Sequence, residues 1–184
     1  VRYVISDQER GLLVRNGRLV RWLEPGLTRV FRGLSNIELR LFKRDTLQTP
    51  FSPELKAVAP EGAAVEAFVP EAHVGLLRAD GVPKLVLQPG RYLLWQLAAN
   101  VTLEIVDLAP LRPGVPEGFW ALMPTAQLQM VIVPPFERAL ILVDGVLQET
   151  LSEGRAVFST LNRKLVVTRM DLREQEVQIL GQEL

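Results

Sequence analysis

An Asn-Gly or Asp-Gly pair occurs three times at one fixed interval: Asn16-Gly17, Asp80-Gly81 and Asp144-Gly145 are each 64 residues apart. The same interval carries Gly26 onto Gly90 and Gly154, Leu12 onto Leu76 and Leu140, and Leu23 onto Leu87 and Leu151. Turn residues that hold register over two intervals without a gap mark a tandem triplication. Copies two and three share more, with Val69-Pro70 matching Val133-Pro134, Gly90-Arg91 matching Gly154-Arg155, and Asp107-Leu108 matching Asp171-Leu172.

The turn chemistry sets the local fold. A two-residue type I′ turn needs positive φ at both central residues, which Asn-Gly and Asp-Gly supply, and its twist matches that of the flanking strands. Each unit is therefore predicted to open with a hairpin: 11–15 with 18–23, 74–79 with 82–87, and 139–143 with 146–151. Pro25-Gly26, Pro89-Gly90 and Glu153-Gly154 mark a second turn, after which a third strand is expected near 28–31, 92–95 and 156–158. Ile37-Glu-Leu-Arg-Leu, Val101-Thr-Leu-Glu-Ile and Leu165-Val-Val-Thr-Arg alternate with period two, the pattern of a strand with one buried and one wet face.

Two less regular stretches lie between the copies. In 49–62, Pro53-Glu-Leu-Lys-Ala suggests a short helical turn, and 63–69 a strand leading into copy two. In the second stretch, 110–116 reads as a Pro-rich loop, Gly118-Phe-Trp-Ala-Leu-Met as coil, and 127–133 as the matching lead-in strand. The expectation is a mainly β chain, β-rich α+β at most, built of three tandem antiparallel hairpin modules of about 64 residues in a rigid row. Their bounds are 1–62, 63–126 and 127–184.

Little in the chain points to chemistry. The single histidine, His73, falls at the repeat interval on Glu9 and Glu137, so it reads as a solvated strand start and not as a zinc ligand or catalytic base. No Gly-x-Ser-x-Gly elbow, phosphate loop, dinucleotide fingerprint or His-Glu-x-x-His occurs, and there is no cysteine. A non-enzymatic protein without a cofactor or metal is expected. Asp107 and Asp171 end equivalent strands in different copies, which suits turn capping better than a paired-acid site. Trp22 and Trp95 read as core or half-buried strand positions, and Phe119-Trp120 as a loop packed on its own module.

Charge sharpens one region. The 21 basic and 21 acidic residues of the whole chain cancel, which argues against a nucleic-acid partner. Residues 1–47, however, hold ten basic side chains against five acidic ones, and Arg15, Arg18 and Arg21 cluster about the first hairpin. Such a patch suits anionic lipid headgroups or a partner protein, each basic residue contributing about 1 kcal/mol near a charged surface. No apolar run reaches the roughly 18 to 20 residues that a membrane-spanning helix needs. No signal peptide is legible, and a start at Val1 reads as a processed or trimmed piece.

Three runs in copy three carry a family resemblance: Glu137-Arg-Ala-Leu-Ile-Leu-Val-Asp-Gly-Val-Leu, then Gly154-Arg, then Val167-Thr-Arg-Met-Asp-Leu-Arg-Glu-Gln-Glu-Val-Gln-Ile-Leu-Gly-Gln-Glu-Leu. Together they resemble the opening of the SPFH or band 7 domain of stomatins, prohibitins and flotillins. More narrowly, the chain is similar to a bacterial slipin, a stomatin-like protein with extra hairpin modules ahead of that domain, cut early within it. The resemblance implies a non-enzymatic scaffold, cytoplasmic or membrane-associated, that forms homo-oligomers at full length and organises lipids or membrane proteins. By the same analogy the modules form an N-terminal head. The alternative is a stand-alone β-repeat module that binds a protein or small ligand in a groove between copies.

Overall fold

The structure is a computed structural model in which residues 1–31, 33–123 and 127–173 are described. Module one comprises β1 (Arg2–Ile5), β2 (Glu9–Arg15), β3 (Arg18–Leu23), β4 (Gly26–Arg29) and β5 (Ile37–Lys43). A connector follows, with a short strand β6 (Gln48–Pro50) and helix α1 (Pro53–Val58). Module two comprises β7 (Ala64–Val69), β8 (His73–Ala79), β9 (Val82–Leu87), β10 (Gly90–Trp95) and β11 (Val101–Asp107). A loop and a 3₁₀ turn over Glu117–Leu122 lead to module three, with β12 (Leu128–Val133), β13 (Glu137–Val143), β14 (Val146–Leu151), β15 (Gly154–Ser159) and β16 (Leu165–Asp171). The chain is mainly β, in three similar units.

Each unit folds its five strands into two small antiparallel sheets. The first strand pairs with the fourth, as β1–β4, β7–β10 and β12–β15. The hairpin and the fifth strand form the other sheet, in the orders β3-β2-β5, β9-β8-β11 and β14-β13-β16. A lead-in strand therefore precedes the hairpin in every module, including β1, which the sequence reading did not anticipate.

The hairpin turns carry the φ values their sequence demands. Asn16, Asp80 and Asp144 all sit at φ 50°, and Gly17, Gly81 and Gly145 at 80°, 78° and 84°. In each hairpin the register slips by one residue at the same place, leaving Val20, Lys84 and Gln148 without a cross-strand partner. A bulge of this kind bends and twists the strand, curling the sheet over its partner. The turn residue also has a second task. Its side chain accepts the N–H of Asn36, Asn100 or Lys164 at 2.9 Å, and its own N–H donates to that residue's carbonyl, again at 2.9 Å. One Asn or Asp thus shapes the hairpin and anchors the start of the fifth strand. Asp80→Ala loses an acceptor and forces alanine into the left-handed region, so about 2 kcal/mol of stability should disappear. Asp80→Asn should stay within about 0.5 kcal/mol of the parent; urea unfolding of both variants checks the pair.

The cores are built from equivalent positions. Ile5, Leu13, Leu23 and Val30 pack with Ile37 and Leu39 in module one; Val69, Leu77, Leu87, Leu94, Val101 and Leu103 do so in module two. Val133, Ile141 and Phe158 pack with Leu151, Leu165 and Val167 in module three. Each such side chain contributes about 1.5–3 kcal/mol when fully buried, and a module of this size has few of them.

Contacts divide the chain into two compact units, Val1–Val106 and Asp107–Leu184. Modules one and two form the first because the connector binds both. Strand β6 pairs antiparallel with β10, Tyr92 opposite Pro50 and Leu94 opposite Gln48. Helix α1 starts at Pro53, is capped by the Ser52 hydroxyl accepting the Leu55 N–H at 3.2 Å, and packs on β3 of module one. Glu66 on β7 holds the connector down by bonding Lys56 at 2.6 Å and Arg91, and these cations, Lys56 first, draw its carboxyl below the ordinary carboxylate range. Beneath lies an aromatic cluster. Trp22 stacks on Trp95 with centroids 5.6 Å apart, and Phe42 tilts against Trp95 at 4.7 Å.

Candidate interaction surface

The three arginines singled out by sequence lie at one end of module one. Arg15 ends β2 and Arg18 begins β3, directly opposite each other in the register. Arg21 pairs with Leu13, two residues along β2 from Arg15 and so on the same face. All three are exposed. None makes an ion pair among the described residues, whereas neighbouring Arg10 reaches Glu24 at 3.0 Å and Arg40 reaches Glu38 at 2.9 Å. Two like charges placed opposite one another repel. The hairpin end therefore carries positive charge that no carboxylate among the described residues offsets by an ion pair.

The loop between β4 and β5 sits beside that end, because Asn36 is clamped to Asn16 of the turn. It carries Leu34, which is fully exposed, and the bulged Val20 on β3 is exposed as well. Apolar tips beside unpaired arginines make an amphipathic end. Sequence reasoning found the arginines but missed Leu34, although an apolar residue between Gly33 and Ser35 in a turn was a signal available from the start.

The other modules lack this end. Ala79, Val82 and Leu85 replace the arginines in module two, and Val143, Val146 and Glu149 replace them in module three. The structural turns placed by sequence, at Asn16-Gly17, Asp80-Gly81 and Asp144-Gly145, and at Gly26, Gly90 and Gly154, all have positive φ.

The remaining candidates have local roles. His73 begins β8 partly exposed, its Nδ1 2.8 Å from the Glu71 carbonyl. Asp107 accepts the Ala109 N–H at 2.8 Å and Asp171 the Arg173 N–H at 3.0 Å, so each carboxylate closes its own turn. The Arg173 guanidinium also bonds Asp171 and lowers its pKa to about 2. Phe119 is buried, and Trp120 donates to the Val115 carbonyl at 2.9 Å, which packs the loop inward. Among the described residues no cluster of three or more His, Asp or Glu side chains could hold a metal, and no helix is long and apolar enough to cross a membrane. The Arg173-Glu-Gln-Glu signature and the Gly-Gln-Glu-Leu run fall largely outside the described residues. Comparison of the chain with protein-family models, curated proteins and solved structures gives no match.

Proposed function

We propose that the chain is the non-enzymatic interaction head of a membrane-associated scaffold of the stomatin-like, SPFH type, and that module one rests on anionic lipid headgroups. The scaffold half of the proposal comes from the resemblance carried by module three. The lipid half comes from one observation: Arg15, Arg18 and Arg21 share a face, lack ion-pair partners among the described residues, and stand beside a loop that exposes Leu34. Three basic side chains near an anionic surface contribute about 3 kcal/mol, and insertion of Leu34 adds about 1–2 kcal/mol. That is weak for one chain. An oligomeric scaffold repeats the contact and gains avidity, which suits a head whose single copy comes off readily.

The test is co-sedimentation with vesicles of phosphatidylserine and phosphatidylcholine, against phosphatidylcholine alone, at low and high salt. The parent chain should pellet with anionic vesicles and release as salt screens the attraction. Arg15→Glu/Arg18→Glu/Arg21→Glu should lower the bound fraction at least about tenfold, and Leu34→Ser should lower it less. Absence of pelleting above the neutral-lipid control would remove the headgroup contact from the proposal.

A further inference from the structure

We propose that Arg15 and Arg18, with Arg21 beside them, select a phosphomonoester dianion, the headgroup of phosphatidate in a bilayer, over the phosphodiester headgroups of other anionic lipids; this preference rests on the headgroup contact proposed above and names its lipid. The hairpin turn of each module is flanked by one cross-strand pair. In module two that pair is Ala79 opposite Val82, and in module three Val143 opposite Val146. Apolar side chains facing each other across a ladder support the hairpin. Module one has arginine at both positions, Arg15 opposite Arg18. Two like charges directly opposite one another destabilise the same ladder, a cost that only this copy carries.

Nothing on that face of module one relieves the repulsion. Arg15 and Arg18 lie on the face of the sheet that carries Leu13, and Arg21 returns to it because the bulge at Val20 takes up one residue. On β5 the same face shows Ile37, opposite Arg15, and Leu39, opposite Leu13. Glu38 and Arg40 of β5 lie on the other face, opposite Val14 and Leu12, and bond each other at 2.9 Å. Glu24, just past the end of β3, is held by Arg10 at 3.0 Å. Two of the three guanidinium groups thus belong to residues whose Cα atoms stand about 5.5 Å apart across the ladder, close enough for both to reach one phosphate.

Charge selects the ligand. A phosphodiester carries one negative charge and two unesterified oxygens. A phosphomonoester, with a second pKa of about 6, carries nearly two charges at neutral pH and three such oxygens. Each guanidinium can offer a phosphate two parallel N–H donors, so a pair of them cancels both charges of the dianion and leaves one of its own uncancelled on a monoanion. The bilayer supplies this phosphate because Leu34 is fully exposed on the loop that Asn36 ties to Asn16 of the same turn. An apolar tip gains nothing from a soluble phosphate ester and is buried by a membrane.

Co-sedimentation of the 184-residue chain with phosphatidylcholine vesicles containing either phosphatidate or phosphatidylserine, matched at each pH to equal electrophoretic mobility, tests the preference. At about pH 8 the parent should bind the phosphatidate vesicles at least about fivefold more tightly than the phosphatidylserine vesicles. At about pH 5 phosphatidate is a monoanion while the arginines keep their charge, and the two should become equal. Arg15→Lys/Arg18→Lys keeps both charges without the forked donors, so it should bind both vesicles and lose the preference. Arg15→Val/Arg18→Val installs the pair that module three carries; it should lose the preference with a urea midpoint no lower than that of the parent, which separates lost recognition from lost folding. Millimolar inorganic phosphate, at constant ionic strength, should leave the chain on phosphatidate vesicles. Equal binding to the two anionic vesicles at about pH 8 would overturn the phosphomonoester preference and leave the headgroup contact standing, whereas pelleting with neither would remove both. A preference that survives in the lysine variant or at about pH 5, or displacement by inorganic phosphate, would also overturn the proposal.

Discussion

Trp95→Ala should cost the Val1–Val106 unit about 3–5 kcal/mol, the range for deleting a buried large aromatic side chain. Trp95 is 1% exposed, and its ring meets three parts of the chain at once. It stacks on Trp22 of β3 at an interplanar angle of 14°, tilts against Phe42 of β5, and donates its indole N–H to the Thr49 hydroxyl of the connector at 3.1 Å. Removal leaves Trp22 and Phe42 facing a void that the sheets cannot close without moving. The cluster joins modules one and two, so the loss should appear as a change in cooperativity as well as in midpoint. Urea titrations followed by circular dichroism and by the remaining tryptophan fluorescence should coincide in the parent and separate in the variant, with module one unfolding first. A cost below about 1 kcal/mol with coincident curves would mean that β6 and α1 hold the two modules together without the aromatic cluster.

What could be seen in the sequence, and what could not, follows from the range of each interaction. The hairpins were legible because only a few residue pairs accept two successive positive φ values. Val146 opposite Val143 and Arg18 opposite Arg15 then follow from turn length. The helical turn at Pro53 was legible from a proline followed by helix-forming residues, Pro53-Glu-Leu-Lys-Ala. Strand β6 was not: Gln48-Thr-Pro has no strand signature, and its partner lies more than 40 residues away on β10. Nor was the Trp22–Trp95 stack, since its two rings replace unrelated side chains in the other copies, Val86 and Thr150 for the first, Phe31 and Ser159 for the second. The bulge at Val20 depends on pairing, so composition alone could not place it. At the candidate surface the charges were visible as a cluster, but the approach of Leu34 depends on the Asn16–Asn36 clamp, a contact across 20 residues.

Gly75→Ala should destabilise module two by about 1–3 kcal/mol, and Leu103→Val, destabilising alone, should recover up to about 1 kcal/mol of that loss when added to it. The reason is a size exchange written into the three copies. Gly11, Gly75 and Ala139 occupy one position on the second strand, facing the core. A Cβ at Gly75 would lie 2.9 Å from Leu103 Cδ1 and 2.9 Å from Val69 Cγ2; one at Gly11 would lie 2.5 Å from Ile5 Cδ1 and 3.0 Å from Leu39 Cδ1. Module three carries the extra carbon as Ala139, fully buried, and the residues equivalent to Leu39 and Leu103 and to Ile5 are there Val167 and Val133. One methyl group on the second strand is exchanged for one methylene on the fifth. The unfolded chain favours Gly75→Ala by about 0.4–1 kcal/mol, so the steric cost has to exceed that for the single variant to lose stability. Leu103→Val alone should cost about 1 kcal/mol through the space it leaves. The double variant should therefore be more stable than the sum of the two singles predicts, by about 1–2 kcal/mol in a double-mutant cycle of urea midpoints. Additive values would show that module two makes room by shifting β8 away from β7, and that the valine at position 167 is incidental to Ala139.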